Sequence, residues 1–253
     1  ALGAVAAGRA RQARFVARIS TETPATNTSE QAMPDEVAAK AMLAAHGVQI
    51  PRFALVEEAD AAADAADGIG YPVVVKIVSA AIPHKAAVGA LALDIHTADA
   101  ARQAFARLAE TRARLNTSTP ASIIVEKQVK GVEAFVGSVA HADHGGIVAI
   151  GAGGGAIETD RRISWSWHPV DADAVAGSLR RYLGSGVTDG QIEAITRLAD
   201  ATNVSLHQIG ARFFECNPVI LTADGGAVVA DALIDSAADT TTPGELFMRT
   251  ARS

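Results

Sequence analysis

A chain of 253 residues with 49% apolar side chains is long enough to bury a sizeable core, as one large domain or two smaller ones, and too apolar to be disordered. Its 22 Lys and Arg against 28 Asp and Glu leave a formal charge of −6, which gives no electrostatic reason to expect nucleic acid as a partner. A single cysteine permits no internal disulfide and fits a reducing, cytoplasmic compartment, and no apolar run approaches the roughly 20 residues that cross a bilayer.

Taken in chain order, residues 1–19 are helical in composition, with Arg9, Arg11, Arg14 and Arg18 and no acid. They read as the last helix of a preceding domain in preference to a transit peptide, and the Ser/Thr-rich residues 20–32 as a linker. The chain starts with Ala, as expected if it is trimmed, processed or cut from something longer. The first packed helix is predicted to start at Pro34, with Asp35 and Glu36 at its positive end, an apolar face of Val37, Ala41, Ala44 and Ala45, and a stop at Gly47. A short helix follows over Ala59–Ala66. VVVKIV (73–78) has the β-branched character of a buried strand, and Ala90–Ile95 is a second strand. Thr97 caps a helix with Ala101, Phe105 and Leu108 on one face. SIIVEK (122–127), Val132–Ala140 and IVAI (147–150) are further strands. Helices are predicted over 171–183 and 189–203. RFFE (212–215) and AVVA (227–230) close the pattern around a turn at Asp224-Gly225-Gly226. Mixed elements with many strands indicate α+β with two lobes.

Several residues stand out chemically. Lys76 interrupts an apolar strand and, if buried, needs an anion; an edge position would let it reach water instead. The pair His84-Lys85, in the connection after that strand, could close over phosphates. Glu126 and Lys127 end a strand, residues 127–131 are a short connection whose backbone could meet a base edge, and Glu133 could accept from ribose hydroxyls. GAGGGA (151–156) follows a strand, but its continuation is charged and β-like without helical periodicity, so it does not read as a dinucleotide fingerprint; a glycine loop approaching a phosphate or a backbone suits it better. Asn217, after Glu215-Cys216, and Asp231 could project oxygens from adjacent antiparallel strand ends, the kind of sparse oxygen set that holds Mg²⁺ together with substrate phosphates. Cys216 has no base partner and reads as a packing residue; His141 and His144 fall in a turn with no metal pattern.

The ordered set GYPVVVKIVS, IPHK, IIVEKQVKGVE, the Gly-rich strand exit and ECNPVIL…VVADA resembles the ATP-grasp module of the ADP-forming acyl-CoA synthetases, a group that includes the acetyl-CoA synthetase β subunit and, more distantly, succinyl-CoA synthetase β. The resemblance covers roughly residues 33–235. It implies a two-lobed ATP-grasp fold, with an N-terminal lobe over 33–130, a C-terminal lobe over 131–235, a tail over 236–253, and residues 1–19 as the end of a CoA-ligase-like domain. It implies Lys76 as the lysine that binds ATP phosphates, with Lys85 beside it, Glu126, Lys127 and Val129 in the adenine-recognising hinge, Glu133 on the ribose side, and Asn217, Asp231 and the adjacent Glu215 as the Mg²⁺ set. His84 matches the histidine linked in this group to phosphoryl relay through a phosphohistidine.

The implied reaction joins a carboxylic acid to coenzyme A at the expense of ATP, through an acyl phosphate, giving ADP and phosphate. The acid and coenzyme A sites would lie on CoA-binding and ligase domains upstream or on a partner subunit. The pattern Ser-Asp-x-Gly-Gly that follows His-Lys in the group is here Ala86-Ala87-Val88-Gly89-Ala90, and Arg162 and Ser166 stand where the group carries Asp and Arg. These departures keep open a degenerate module that senses nucleotide without turnover. Another ATP-grasp carboxylate ligase is a further alternative, against which the His-Lys pair counts.

Overall fold

The computed structural model describes residues 33–82, 85–115, 117, 119–141, 145–155 and 163–235. The expectations for residues 1–32, His84, His144, Arg162 and 236–253 lie outside these residues.

Two antiparallel sheets organise the chain. The smaller has the order β1 (Phe53–Val56), β4 (Ser122–Lys127), β2 (Val73–Val78), β3 (Leu91–Ile95). Helices α2 (Ala59–Ile69) and α3 (Ala98–Leu115) cover one of its faces. Val73, Val75 and Ile77 enter the core beneath those helices, so the period-2 alternation of the strand turns Val74 and Lys76 to the opposite face. All six residues of β2 are buried, which is why its sequence is apolar throughout except at the lysine. The helix predicted after Thr97 forms as expected: the Thr97 hydroxyl accepts from the Ala100 N–H (3.2 Å), and Ala101, Phe105 and Leu108 are buried.

The larger sheet has the order β10 (Ala232–Asp235), β8 (Phe213–Leu221), β5 (Val132–His141), β6 (Gly145–Ala152), β7 (Ile163–Trp167), and β9 (Ala227–Val229) also pairs with β8. Helices α4 (Ala172–Leu183) and α5 (Asp189–Ile209) lie against it. Asp171 caps α4 through the Ala174 N–H (2.7 Å). Thr188 and Gln191 form a reciprocal capping box on α5.

The first helix differs from its sequence expectation. Helix α1 spans Glu36–Ala45 with Asp35 as N-cap, its carboxylate accepting from the Ala38 N–H (2.9 Å), so Pro34 stands outside the helix. Ala41, Ala44 and Ala45 are exposed; the buried positions are Glu36, Ala39, Lys40 and Leu43. Ala39 and Leu43 join the core of the larger sheet. That packing fixes the rotation of the helix and drives Glu36 and Lys40 inward, where charges of the smaller sheet and its connections and the Ala230 carbonyl meet them. The helix precedes the smaller sheet in sequence but takes its apolar support from the larger.

Strands β1 and β10 carry no alternating signal of their own and were not expected; both pair antiparallel with a longer neighbour. Strand β8 runs on to Leu221, so Glu215-Cys216-Asn217-Pro218 lies inside a strand and does not follow one. Cys216 is buried in the core, as expected.

Candidate functional site

A cleft of about 400 Å³ opens between the two sheets, within the size range of small-molecule sites. The smaller sheet and its connections supply Lys76, Lys85, Leu91, Lys127, Gln128 and Val129 to its wall. The larger sheet supplies Glu133, Gly154, Asn217, Ile220, Ala230 and Asp231. Residues singled out from scattered parts of the sequence are thus brought together. The exceptions are His84, outside the described residues, and Glu215, which is buried on β8 opposite Gly137 and Leu233 and does not line the cleft.

The floor is a lattice of charge. Lys76 Nζ stands 2.9 Å from Glu126 Oε1, 2.5 Å from Glu36 Oε1, and donates to the Ala230 carbonyl at 2.9 Å. Lys40 Nζ meets Glu126 Oε2 at 2.6 Å and Glu36 Oε1 at 2.7 Å, and donates to the same carbonyl at 2.7 Å. Lys85 Nζ donates to both carboxylate oxygens of Asp231, at 2.8 and 2.9 Å, and lies 2.9 Å from Glu36 Oε2. Three ammonium groups therefore face three carboxylates, and the formal charge of the lattice is zero. Such balance is what makes the burial of these charges tolerable.

The local fields follow from the arrangement. Burial alone would push the Glu36 carboxyl up, but Lys76, Lys40 and Lys85 together hold it well below the usual carboxylate range. Burial pulls the Lys40 ammonium down, Lys76 adds to that, and Glu36 and Glu126 only partly offset it. For Lys76 and Lys85 burial is outweighed by carboxylates, and both are raised. Desolvation followed by the Glu36 charge pushes Asp231 up, against Lys85 and Lys76.

The residues of the expected hinge divide their work. The Glu126 carboxylate turns into the lattice, because β4 pairing sets it across from Val74 on the cleft face. The Lys127 ammonium donates to the Gly70 and Tyr71 carbonyls (2.9 and 2.7 Å), and its N–H to Arg52. Gln128 locks β3 by accepting from the Asp94 N–H (2.8 Å) and donating to the Asp94 carboxylate (3.0 Å). Val129 takes part in none of these bonds and lines the cleft. At the other end the Gly-rich exit folds back over β5: the Gly153 N–H donates to the Glu133 carbonyl and the Gly154 N–H to Asn217 Oδ1 (2.7 Å). Gly154 has φ +59°, a backbone conformation that side chains rarely adopt, and a Cβ there would lie 1.6 Å from Glu133 Oε2 unless that carboxylate moved aside. Ser166 pairs with Val148 beside Ser164, whose hydroxyl meets Tyr182 of α4, and it does not line the cleft.

For a divalent cation the cleft offers the Asp231 carboxylate beside the Asn217 amide oxygen; the Asn217 N–H donates to the Asp231 carbonyl (3.2 Å), so the two residues are held side by side. The Lys85 ammonium donates to both oxygens of that carboxylate. Among the described residues no cluster of three or more His, Cys, Asp or Glu could hold a metal alone. Sequence reasoning missed Glu36, Lys40 and the Ala230 carbonyl. The available signal was that Glu36 and Lys40 share the helical stripe of Ala39 and Leu43.

Residues 25–235 match the family model described as ATP-grasp domain, and the chain belongs to this family. Within it, the chain is 33% identical over 215 residues to a trans-feruloyl-CoA synthase of an unknown prokaryotic organism, covering 79% of this chain but 30% of that protein. It is 25% identical over 207 residues to the β subunit of acetate–CoA ligase [ADP-forming] I of Pyrococcus furiosus, covering 78% of this chain and 89% of that subunit. The structure of a Candidatus Korarchaeum cryptofilum acetyl-coenzyme A synthetase, in complex with coenzyme A and Ca-AMPCP, superposes with a TM-score of 0.70 at 25% identity, over 80% of this chain and 93% of that one. The relatives are acid–CoA ligases, and the expected two-lobed ATP-grasp fold is the fold observed. The chain spans about three tenths of the first full-length relatives it matches.

Proposed function

We propose that this chain is the ATP-binding part of an ADP-forming acyl-CoA synthetase. The observation that carries the reading is the cleft itself. Two cationic side chains, Lys76 and Lys85, an acidic and an amide oxygen, Asp231 and Asn217, and a short connection at Lys127–Val129 share one cavity between two sheets. The relatives' names supply the reaction: a carboxylic acid, coenzyme A and ATP give acyl-CoA, ADP and phosphate.

In this reading the adenine lies against Gln128 and Val129, Glu133 accepts from the ribose hydroxyls, and Lys76 and Lys85 neutralise phosphate oxygens. Asp231 and Asn217 would hold Mg²⁺; Glu215, buried away from the cleft, leaves that set. The cation supplies neutralisation of charge on the transferring phosphoryl group. His84, next to Lys85 in sequence, is the proposed phosphoryl carrier: its ring nitrogen attacks the γ-phosphorus, the bond to the bridging oxygen breaks, and ADP leaves. The acid and coenzyme A would be handled by CoA-binding and ligase domains in the same chain or on a partner subunit. No helix of the described residues is long and apolar enough to cross a membrane, and the buried lone cysteine supports a cytoplasmic setting.

The deciding assay is coupled ADP release by the complete enzyme with Mg-ATP, coenzyme A and a panel of carboxylic acids. ADP formed only when acid and coenzyme A are both present supports the reading. ATP binding without turnover across the panel replaces it with a nucleotide-sensing module, the reading that the alanine loop 86–90 favours.

A further inference from the structure

The lysines that face the cleft come from different segments: Lys76 from the rigid strand β2, and Lys85 from the connection before β3. One side chain joins them. Glu36 places Oε1 at 2.5 Å from Lys76 and Oε2 at 2.9 Å from Lys85, so a single carboxylate sets the interval between the two ammonium groups. Glu36 itself is 4% exposed and is anchored by the first turn of α1, whose Ala39 and Leu43 are fixed in the core of the opposite lobe. Its i+4 neighbour Lys40 holds Oε1 from behind at 2.7 Å.

The two lysines differ in what else holds them. Lys76 also has Glu126 and the Ala230 carbonyl. Among the described residues the carboxylate partners of Lys85 are Glu36 and Asp231, and Asp231 is the side chain proposed to hold the cation. If Asp231 turned to a metal ion, Glu36 Oε2 would be the carboxylate left among the described residues to keep Lys85 in the cleft. Without Glu36, the three ammonium groups would share two carboxylates among the described residues, Lys85 would rest on Asp231, and it would compete with the metal there.

We infer that Glu36 is a positioning residue for phosphate recognition, spacing Lys76 and Lys85 and holding Lys85 when Asp231 engages a cation. The inference rests on the reading of the cleft as a nucleotide site. It assigns Glu36 a task in binding, although it faces lysines and not the ligand.

The test is isothermal titration of the complete chain with ATP in Mg²⁺ and, separately, with adenosine, which lacks the phosphates. For Glu36→Gln the expected result is a loss of about tenfold or more in ATP affinity, with adenosine affinity within about twofold of the unaltered protein. In a Lys85→Met background the same substitution is expected to add little further loss of ATP affinity, as coupled neighbours require. ATP binding as tight as or tighter than that of the unaltered protein overturns the inference, and so does an equal loss for ATP and adenosine, which marks a merely structural role. If Glu36→Gln does not melt cooperatively, Glu36→Asp, which keeps the charge but shortens its reach, decides on the same two ligands. An unaltered protein that binds neither ligand overturns the nucleotide reading as a whole, a result distinct from the failure of Glu36 alone.

Discussion

Lys85 and Asp231, 146 residues apart, close the same corner of the cleft: the ammonium donates to both carboxylate oxygens at 2.8 and 2.9 Å, and the Asp231 side chain stays 28% exposed on the open side. The pair places an internal cation where the proposed function requires an external one. Asp231→Asn removes the charge that attracts either. Its expected effect is loss of the Mg²⁺-dependent part of ATP affinity, with adenosine affinity retained, read by titration with and without Mg²⁺. Retained Mg²⁺ dependence would remove Asp231 from the cation site.

Lys76, like Lys40, is held by Glu36, Glu126 and the Ala230 carbonyl, and the residue is 3% exposed. Lys76→Ala leaves two buried carboxylates with less counter-charge. Stability is expected to fall by about 3–5 kcal/mol, and nucleotide affinity to be lost. Denaturant unfolding and ATP titration check the two effects separately, and unchanged ATP binding in a folded variant would contradict the phosphate role.

The depressed Glu36 carboxyl makes stability depend on acid. Its ordinary value is 4.5 and its folded value lies well below that, under the fields of Lys76, Lys40 and Lys85, with Glu126 and Asp231 as the nearby carboxylates. Below about pH 4.5 the unfolded chain binds a proton at Glu36 that the folded chain refuses. Stability from this group is therefore full above that pH and is lost as pH falls toward the folded value. Melting temperature is expected to drop on acidification below pH 4.5, and the drop to be shallower in Glu36→Gln. Parallel curves would show that Glu36 carries none of it.

Gly154 is expected to accept a side chain only at a cost. Gly154→Ala puts a methyl into the Glu133 carboxylate and holds an alanine at φ +59°. The expected cost is about 1–3 kcal/mol of stability, together with weaker binding of adenosine as well as ATP, since Glu133 is the proposed ribose contact. Unchanged melting and unchanged adenosine titration would contradict both the steric argument and the ribose assignment.

Cys216 is expected to be inert in the native state. Burial, followed by the charges of Glu215 and Asp231, pushes its thiol well above the ordinary value, so little thiolate exists at neutral pH. A maleimide reagent should label it only after unfolding, and rapid native labelling would show the strand open at that point.

The sequence made the strands easiest to read where both faces are buried. VVVKIV and SIIVEK were bounded to the residue because continuous β-branched runs leave no competing helical pattern. Lys76 drew notice because a charge in such a run requires a partner. Its partners stayed hidden for two reasons. Glu36 and Lys40 have the i,i+4 spacing of an ordinary solvent-exposed pair, and alanine-rich α1 offers two nearly equivalent stripes. Only the tertiary choice of Ala39 and Leu43 as core residues decides between them. Likewise Glu126 was placed in the hinge by its neighbours in sequence, whereas strand pairing turns its carboxylate to the lattice.

Helix α1 also ties the order of assembly to the site. Lys40 donates to the Ala230 carbonyl across 190 residues of chain, so the lattice cannot close until the last strands of the larger sheet are in place beside the first helix. Contacts of such separation form late and slowly. Capacity to bind ATP should therefore return last when the chain refolds, after secondary structure and after both cores, which makes nucleotide binding a reporter of completed folding and not merely of a formed sheet.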